Sequence, residues 1–214
     1  MNPLPPFAIW GAAQREAEPE ELVKFTLIYD GDLASAGNKS KPVEASNIRN
    51  VFHDQLADLW DSHVVMRQLR HTARVNNQLM GDLALIRVPA TGTGFVPIVR
   101  RSLYLGCQVD VLFLRHEEPY SLMRQGGDLD GRIKTLFDAL KMPDPKDPEY
   151  KGATPADDPL YVVLEDDALI TDFSVKSGKL LGRGEKMKHR VRLTVDITIK
   201  VSRVFQQNQH LVGG

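Results

Sequence analysis

The most constraining feature of this sequence is a strict alternation of apolar and polar residues near its carboxyl end. Within the range 190–204, every second position is apolar, at Val191, Leu193, Val195, Ile197 and Ile199. Successive side chains of a β-strand point to opposite faces, so this pattern predicts a strand with one buried and one solvated face. The chain must therefore contain a sheet that is covered on one side.

The remaining secondary structure follows from residue spacing. Strands are predicted over the ranges 22–29, 83–88, 95–99, 103–114, 161–164 and 170–176, with the second and third forming a hairpin. Apolar residues at helical spacing predict two main helices, over 42–60 and 128–140, and leave the range 64–80 open between helix and irregular connection. Because strands and helices follow one another without regular βαβ alternation, we expect an α+β fold with a mixed β-sheet and two main helices.

Length and composition bound the class of protein. The chain has 214 residues, of which 42% are hydrophobic and 26% charged, as in ordinary globular domains. We expect a flexible N-terminal lead-in over 1–20, a single domain over 21–205 and a frayed tail over 206–214. No stretch approaches the roughly 20 apolar residues that cross a bilayer, so no membrane partner is expected. The single cysteine, Cys107, is predicted to be a buried hydrophobe, and a cytoplasmic location follows as the default.

Positive charge is concentrated in the segment 176–192. Seven basic residues stand there against Glu185 alone, and three glycines lie among them. The proposed DNA-binding residues of this segment are Lys176, Lys179, Arg183, Lys186, Lys188 and Arg190. Cationic side chains displace counterions from a phosphate backbone, so a basic hairpin here would hold DNA, with Arg100 and Arg101 as further candidates. The alternative is a solvated hairpin without a ligand.

Acidic residues cluster at the start of the second predicted helix. Asp128 is a suitable helix N-cap, and Asp130 with Lys134 is an ordinary helical ion pair, which would explain both residues without a function. Asp130, Lys134 and Asp138 also form one stripe beside the apolar face, where carboxylates would be partly desolvated. Such carboxylates gain from a cation, and a divalent ion such as Mg²⁺ with oxygen ligands is the natural choice.

A second acidic cluster follows the strand predicted at 161–164. Glu165, Asp166 and Asp167 are adjacent there, and like charges at a strand end repel one another unless they are partly neutralised. A metal ion would provide that neutralisation. A solvated turn is the alternative.

Taken together, the two clusters resemble a known family. Residues 128–140 read DLDGRIKTLFDAL and residues 164–176 read LEDDALITDFSVK, which resembles the RusA family of Holliday junction resolvases. That family's core has two aspartates one residue apart, a lysine four residues after the second, then F-D-A-L and a later D-D-A. The positions that match are Asp128, Asp130, Lys134, Asp138, Asp167 and Asp172.

The resemblance implies a function and a set of roles. A RusA-like protein would be a metal-dependent endodeoxyribonuclease that cleaves branched or four-way-junction DNA in recombination and repair, as a homodimer. Asp128, Asp130 and Asp167 would hold Mg²⁺ or Mn²⁺, with Asp166 as the alternative to Asp167, and Lys134 would assist cleavage.

Two departures from the family keep other hypotheses open. The family's asparagine after the second aspartate is Gly131 here, and the link over 144–160 is longer than the family's. A DNA-structure-binding module without nuclease activity is therefore the alternative, and a structural or regulatory dimer is the third reading. Motifs for nucleotide hydrolysis, dinucleotide binding, zinc proteolysis and serine hydrolysis are absent from the sequence. His53 and His116 are predicted to lie on the surface, and Trp60 in the core.

Overall fold

The computed structural model describes residues 23–33, 41–67, 86–87, 94–116, 129–143, 159–182, 190–204, 208 and 211. Within these ranges the chain forms two main helices, α1 (Lys41–Ser62) and α2 (Leu129–Leu140). The strands are β1 (Lys24–Asp32), β2 (Ile86–Arg87), β3 (Gly94–Val99), β4 (Leu105–Arg115), β5 (Leu160–Leu164), β6 (Ile170–Lys179) and β7 (Arg190–Val201). The predicted α+β fold is confirmed. A helical turn at 64–67 begins the range that the sequence left open.

The strands form two sheets, each with mixed pairing. The larger has the order β1-β7-β4-β6, in which β7 is antiparallel to both neighbours and β6 is parallel to β4. The smaller has the order β2-β3-β5, with the predicted antiparallel pairing of β2 and β3 and a parallel pairing of β3 and β5. The two edge strands of the larger sheet are therefore β1 and β6.

One face of the larger sheet and one stripe of α1 build the main core. The alternating residues of β7, from Val191 to Ile199, are buried as predicted, together with Val109 of β4. They share a cluster with Ile48 and Phe52 of α1. Burial of such aliphatic and aromatic side chains contributes about 1.5–3 kcal/mol each, so this contact holds the helix on the sheet.

The first strand is longer than predicted. Asp30, Gly31 and Asp32, which follow the predicted strand end at residue 29, are extended backbone paired with residues 190–192 of β7. The Asp30 carboxylate accepts hydrogen bonds from Arg190 Nε at 2.6 Å and from Arg192 Nη2 at 2.5 Å. Hydrogen bonds from Arg190 and Arg192 lower the pKa of Asp30. Cross-strand ion pairing thus stabilises an extension that the turn-forming residues did not indicate.

The prediction that His53 lies on the surface is wrong. His53 is buried against β5. Its Nδ1 accepts the backbone N–H of Tyr161 at 2.9 Å, and the two rings stack with their centroids 5.5 Å apart. Two residues of the expected frayed tail, Asn208 and Leu211, are also buried, and Asn208 Nδ2 donates to the carbonyl of Leu103 at 2.8 Å. The lead-in over 1–20 lies outside the described residues.

Two other residues are buried as predicted. Trp60 lies in the core at the end of α1. Cys107 is buried in β4, and burial raises the pKa of its thiol to about 12. A thiol of such a high pKa is almost wholly protonated near neutral pH and is therefore chemically inert.

Candidate functional site

Helix α2 carries the first acidic cluster at its amino end. Asp130 lies in the first turn and Lys134 one turn later, and both side chains are exposed. The expectation that this stripe is partly desolvated is wrong for these two residues, because the helix buries Ile133 and Leu136 on a different face. Asp128 lies outside the described residues. Both described side chains are thus accessible to a large ligand.

The second acidic cluster follows β5, as predicted, and each of its carboxylates has its own partner. Glu165 accepts the backbone N–H of Arg101 at 2.9 Å, and Asp166 accepts the N–H of Ala168 at 2.8 Å as the cap of a short 3-10 turn. Asp167, the first residue of that turn, accepts a hydrogen bond from Lys141 Nζ at 2.8 Å. The predicted mutual repulsion is therefore relieved by three separate contacts.

Lys141 links helix α2, which carries the first acidic cluster, to the turn that carries the second. Its Nζ lies 2.8 Å from Asp167 Oδ2 and 3.4 Å from Asp138 Oδ1, just beyond the carboxyl end of α2. The hydrogen bond from Lys141 lowers the pKa of Asp167. Burial opposes the charge on Lys141, but its contacts with Asp167 and Asp138 outweigh burial and raise its pKa. The ion pair therefore holds the Asp167 turn against the end of the helix.

This ion pair separates Asp167 from Asp130. Eight residues of helix place Asp138 about 12 Å from Asp130 along the axis. Oxygen atoms that share one Mg²⁺ lie about 4 Å apart at most, because each is about 2.1 Å from the ion. Since Asp167 is held beside Asp138, it does not meet Asp130 in this conformation.

The basic segment does not form the predicted hairpin. Strands β6 and β7 flank β4 on opposite sides and therefore do not pair with each other. Lys176 and Lys179 are exposed on β6, whereas Arg190 is ion-paired with Asp30. The remaining candidates, Arg183, Lys186 and Lys188, lie outside the described residues.

Arg100 is not available to a ligand. It is buried, and its Nε donates to the carbonyl of Pro97 at 2.7 Å. Burial lowers its pKa to about 10, which still leaves it charged at neutral pH. Arg101, in contrast, is exposed and remains a candidate for phosphate contact.

Comparison with protein-family models, with curated proteins and with solved structures finds no similar protein.

The fit of a metal ion can be tested on the described acidic residues. Exposed carboxylate oxygens such as those of Asp130 and Asp166 are the donors that Mg²⁺ prefers. However, no group of three His, Cys, Asp or Glu side chains in the described residues is placed to hold an ion. Asp130 thus fits as a ligand only with Asp128 beside it, and Asp167 does not fit the same ion while Lys141 holds it.

Two residues important for this geometry were missed by sequence reasoning. Arg49 of α1 donates from Nε to the carbonyl of Lys141 at 3.2 Å, and from Nη2 to the carbonyl of Asp138. Lys141 was not singled out either, although a lysine just after the carboxyl end of a helix is a familiar signal. For Arg49, no local signal exists, because its partners are about 90 residues away along the chain.

Replacing Lys141 by Met should raise the pKa of Asp167 toward its ordinary value. The variant loses the hydrogen bond that is the main cause of the lowered pKa. A lowered carboxyl pKa stabilises the folded state above the unfolded pKa, and this contribution disappears as the pH falls through the folded value. The free energy of unfolding should therefore fall less on acidification in the variant than in the wild type.

Titration of the Asp167 carboxyl group by NMR, from about pH 7 to about pH 2, measures this pKa directly. Lys134→Met is the matched control, because Lys134 is exposed on the same helix without a described contact to Asp167. An Asp167 pKa that is equal in the wild type and in Lys141→Met would contradict the ion pair.

None of the helices in the described ranges is long and apolar enough to cross a membrane.

Proposed function

We propose that this chain is a metal-dependent endodeoxyribonuclease of the RusA kind that cleaves branched DNA in recombination and repair. The observation that carries the proposal is the accessible pair of Asp130 and Lys134 in the first two turns of α2, directly after Asp128. The carboxylates of Asp128 and Asp130 would supply metal ligands, and Lys134, one turn after Asp130, would supply a positive charge at the same place. We place the protein in the cytoplasm, in accord with its single, buried thiol.

Each acidic residue has a role in this proposal. Asp128 and Asp130 would hold Mg²⁺ or Mn²⁺, and either Asp166 or Asp167 would complete the site. A bound divalent ion supplies polarisation of the scissile phosphate and a more acidic water molecule. Asp166 accepts a backbone N–H, and no cation in the described residues pairs with it, whereas Asp167 must first leave Lys141 to approach the helix start.

Lys134 would act on the DNA itself. Its ammonium group is exposed one turn after Asp130, so a phosphate held at Asp130 lies within reach of the lysine side chain. A cation at that position stabilises the negative charge that develops on the phosphoryl oxygens or on the leaving oxygen. This role requires the charge of Lys134 and no contact with a base.

The basic segment would hold the phosphate backbone. Lys176 and Lys179 are exposed on β6, and the sequence between β6 and β7 contains Arg183, Lys186 and Lys188. Arg190 would contribute only after it exchanges Asp30 for a phosphate. Contacts to phosphates do not read base sequence, which suits recognition of a DNA structure.

The second candidate function is binding of branched DNA without cleavage. The contact that favours it is the ion pair between Lys141 and Asp167, which engages one proposed metal ligand away from Asp130. Gly131 in place of the family's asparagine points the same way. In this version, the basic segment keeps its role while the acidic residues only stabilise the helix and the turn.

Incubation with a labelled four-way junction separates these functions. Linear duplex and single-stranded DNA serve as controls, and each is tested with Mg²⁺, with Mn²⁺ and with EDTA. We expect junction-selective cleavage that requires a metal ion. Tight binding without cleavage under either metal would favour the binding module instead.

Salt dependence of junction binding tests the basic segment. Phosphate contacts impose a steep loss of affinity between about 50 mM and about 200 mM salt. We expect this loss to reach at least tenfold for the wild-type protein. An absence of junction binding at low salt would contradict both functions and leave a structural role for the dimer.

A further inference from the structure

Strand β6 is an open edge of the larger sheet. It is paired with β4 on one side, and no described residue pairs with its other side. It is ten residues long, and most of its side chains are exposed or half-buried. A strand edge of this length presents a row of peptide N–H and C=O groups that can pair with another strand.

The opposite edge of the same sheet is protected. At β1, the Gln55 side chain of α1 accepts the backbone N–H of Ile28 at 2.9 Å and donates to the carbonyl of Ile28 at 2.8 Å. The Gln55 amide thus engages the N–H and C=O groups of Ile28, with which an added strand would otherwise pair. Of the two edges, β6 is therefore the one prepared for pairing.

The core side of β6 carries an exposed aromatic residue. Phe173 is 56% exposed, and its ring meets that of Phe137 of α2 edge to face at 5.5 Å. Val175 follows two positions later on the same face and is half-buried. An apolar ring of this exposure gains from a further apolar neighbour across the strand edge.

The outer side of β6 carries two exposed charges, Asp172 and Lys176, and Asp110 of β4 attracts Lys176 from the same face. Asp172 and Lys176 share the face of Gln108 and Leu112 of β4, and both are exposed. They are separated by about 13 Å within their own strand, because each residue adds about 3.3 Å. They therefore cannot neutralise each other, and neither forms an ion pair within the described residues.

We propose that β6 pairs antiparallel with β6 of a second copy of this chain, about a two-fold axis at Ser174. In this register Asp172 lies opposite the second copy's Lys176, and the reverse pair forms by symmetry. Phe173 lies opposite Val175 of the second copy on the core side. The joined strands extend the sheet across both copies as one continuous sheet of eight strands.

Other registers lose this complementarity. An axis at Phe173 places Asp172 opposite Ser174, and an axis at Val175 places Asp172 opposite Gly178. A shift of the pairing by one residue turns the outer face of one copy toward the core face of the other. Of these registers, only the axis at Ser174 places Asp172 opposite Lys176 and Phe173 opposite Val175.

This inference gives an interface to the homodimer that the RusA resemblance implies, but its geometry does not depend on DNA cleavage. It assigns Lys176 to the contact between copies, so the DNA contacts would fall to Lys179 and to the basic residues between β6 and β7 in the sequence. A mass measurement reports on the dimer alone, so failure of the dimer and failure of the nuclease are separate results.

Disulfide trapping tests the register. In Ser174→Cys, the two introduced thiols lie opposite each other, at a separation that a disulfide accepts. We expect a covalent dimer under mild oxidation, whereas Ser202→Cys, at an exposed serine just after β7, should stay monomeric under denaturing electrophoresis. The buried Cys107 thiol is inert and makes the wild type a further control. Failure of Ser174→Cys to cross-link, or equal cross-linking of both variants, would overturn the proposal.

Charge exchange tests the pairing without cysteines. Sedimentation should show a wild-type dimer between about 1 µM and about 100 µM. Asp172→Lys and Lys176→Asp should each weaken association at least tenfold, because each places like charges opposite one another, and the double exchange should restore it. A monomeric wild type, or single variants as dimeric as the wild type, would overturn the proposal.

Discussion

Replacement of Asp130 by Asn is expected to reduce metal-dependent cleavage of a four-way junction at least about 100-fold, since a metal ion supplies several kcal/mol of transition-state stabilisation. Asparagine keeps the size of the side chain but removes the negative charge and one strong metal-binding oxygen. Because Asp130 is exposed, the substitution leaves no cavity and no buried polar group behind. Its effect should therefore appear in cleavage and not in folding.

Asp54→Asn is the matched control for Asp130→Asn. Asp54 is likewise an exposed helical aspartate, but it belongs to α1. We expect normal cleavage for this variant, and circular dichroism should show both variants folded. The rate is measured under single-turnover conditions with saturating Mg²⁺. Undiminished cleavage by Asp130→Asn would show that Asp130 is only a helix-start residue that favours the dipole.

Replacement of Arg49 by Met is expected to destabilise the protein by about 2–4 kcal/mol, because two charge-assisted hydrogen bonds of about 1.5–3 kcal/mol each are lost and partly replaced by water. Arg49 is 6% exposed and donates to the carbonyls of Asp138 and Lys141 at the end of α2. The Asp138 carbonyl lies in the last turn of the helix and that of Lys141 just beyond it, so neither has a partner within the helix. A cation at the helix carboxyl end also offsets the helix dipole.

The control for Arg49→Met is Arg101→Met. Arg101 is exposed, and the contact it makes with Glu165 comes from its backbone N–H, which the substitution keeps. Its effect on the free energy of unfolding should stay within about 0.5 kcal/mol. Urea denaturation at neutral pH measures both variants. Equal stability of the two would contradict the role of Arg49 as the support of α2 and of Lys141.

Local patterns predicted most of the helices and strands. The alternation around Val195 and the helical spacing around Leu136 each depend only on side chains a few residues apart, and both elements are present. Their exact ends were harder to predict. The first strand continues through Asp30, which is held by Arg190 and Arg192. Local patterns could not predict this extension, because the two arginines are 160 positions or more away along the chain.

The candidate site shows the same division. The sequence marked Asp130 and Lys134 at the start of a helix, and the structure confirms both positions, because a helix start is a local signal. It also marked Asp166 and Asp167 at a strand end. What it did not show is that Lys141 holds Asp167 beside the far end of α2.

The sequence alone determined the class of fold, the faces that are buried and the places where acidic and basic residues collect. These properties follow from periods of two and 3.6 residues and from charge, which need no knowledge of distant contacts. Only the tertiary structure decided that β6 and β7 lie on opposite sides of β4, that His53 and Asn208 are buried, and that Arg49 supports α2. Each depends on strand order or on a hydrogen bond between distant residues, and local pattern carries no record of either.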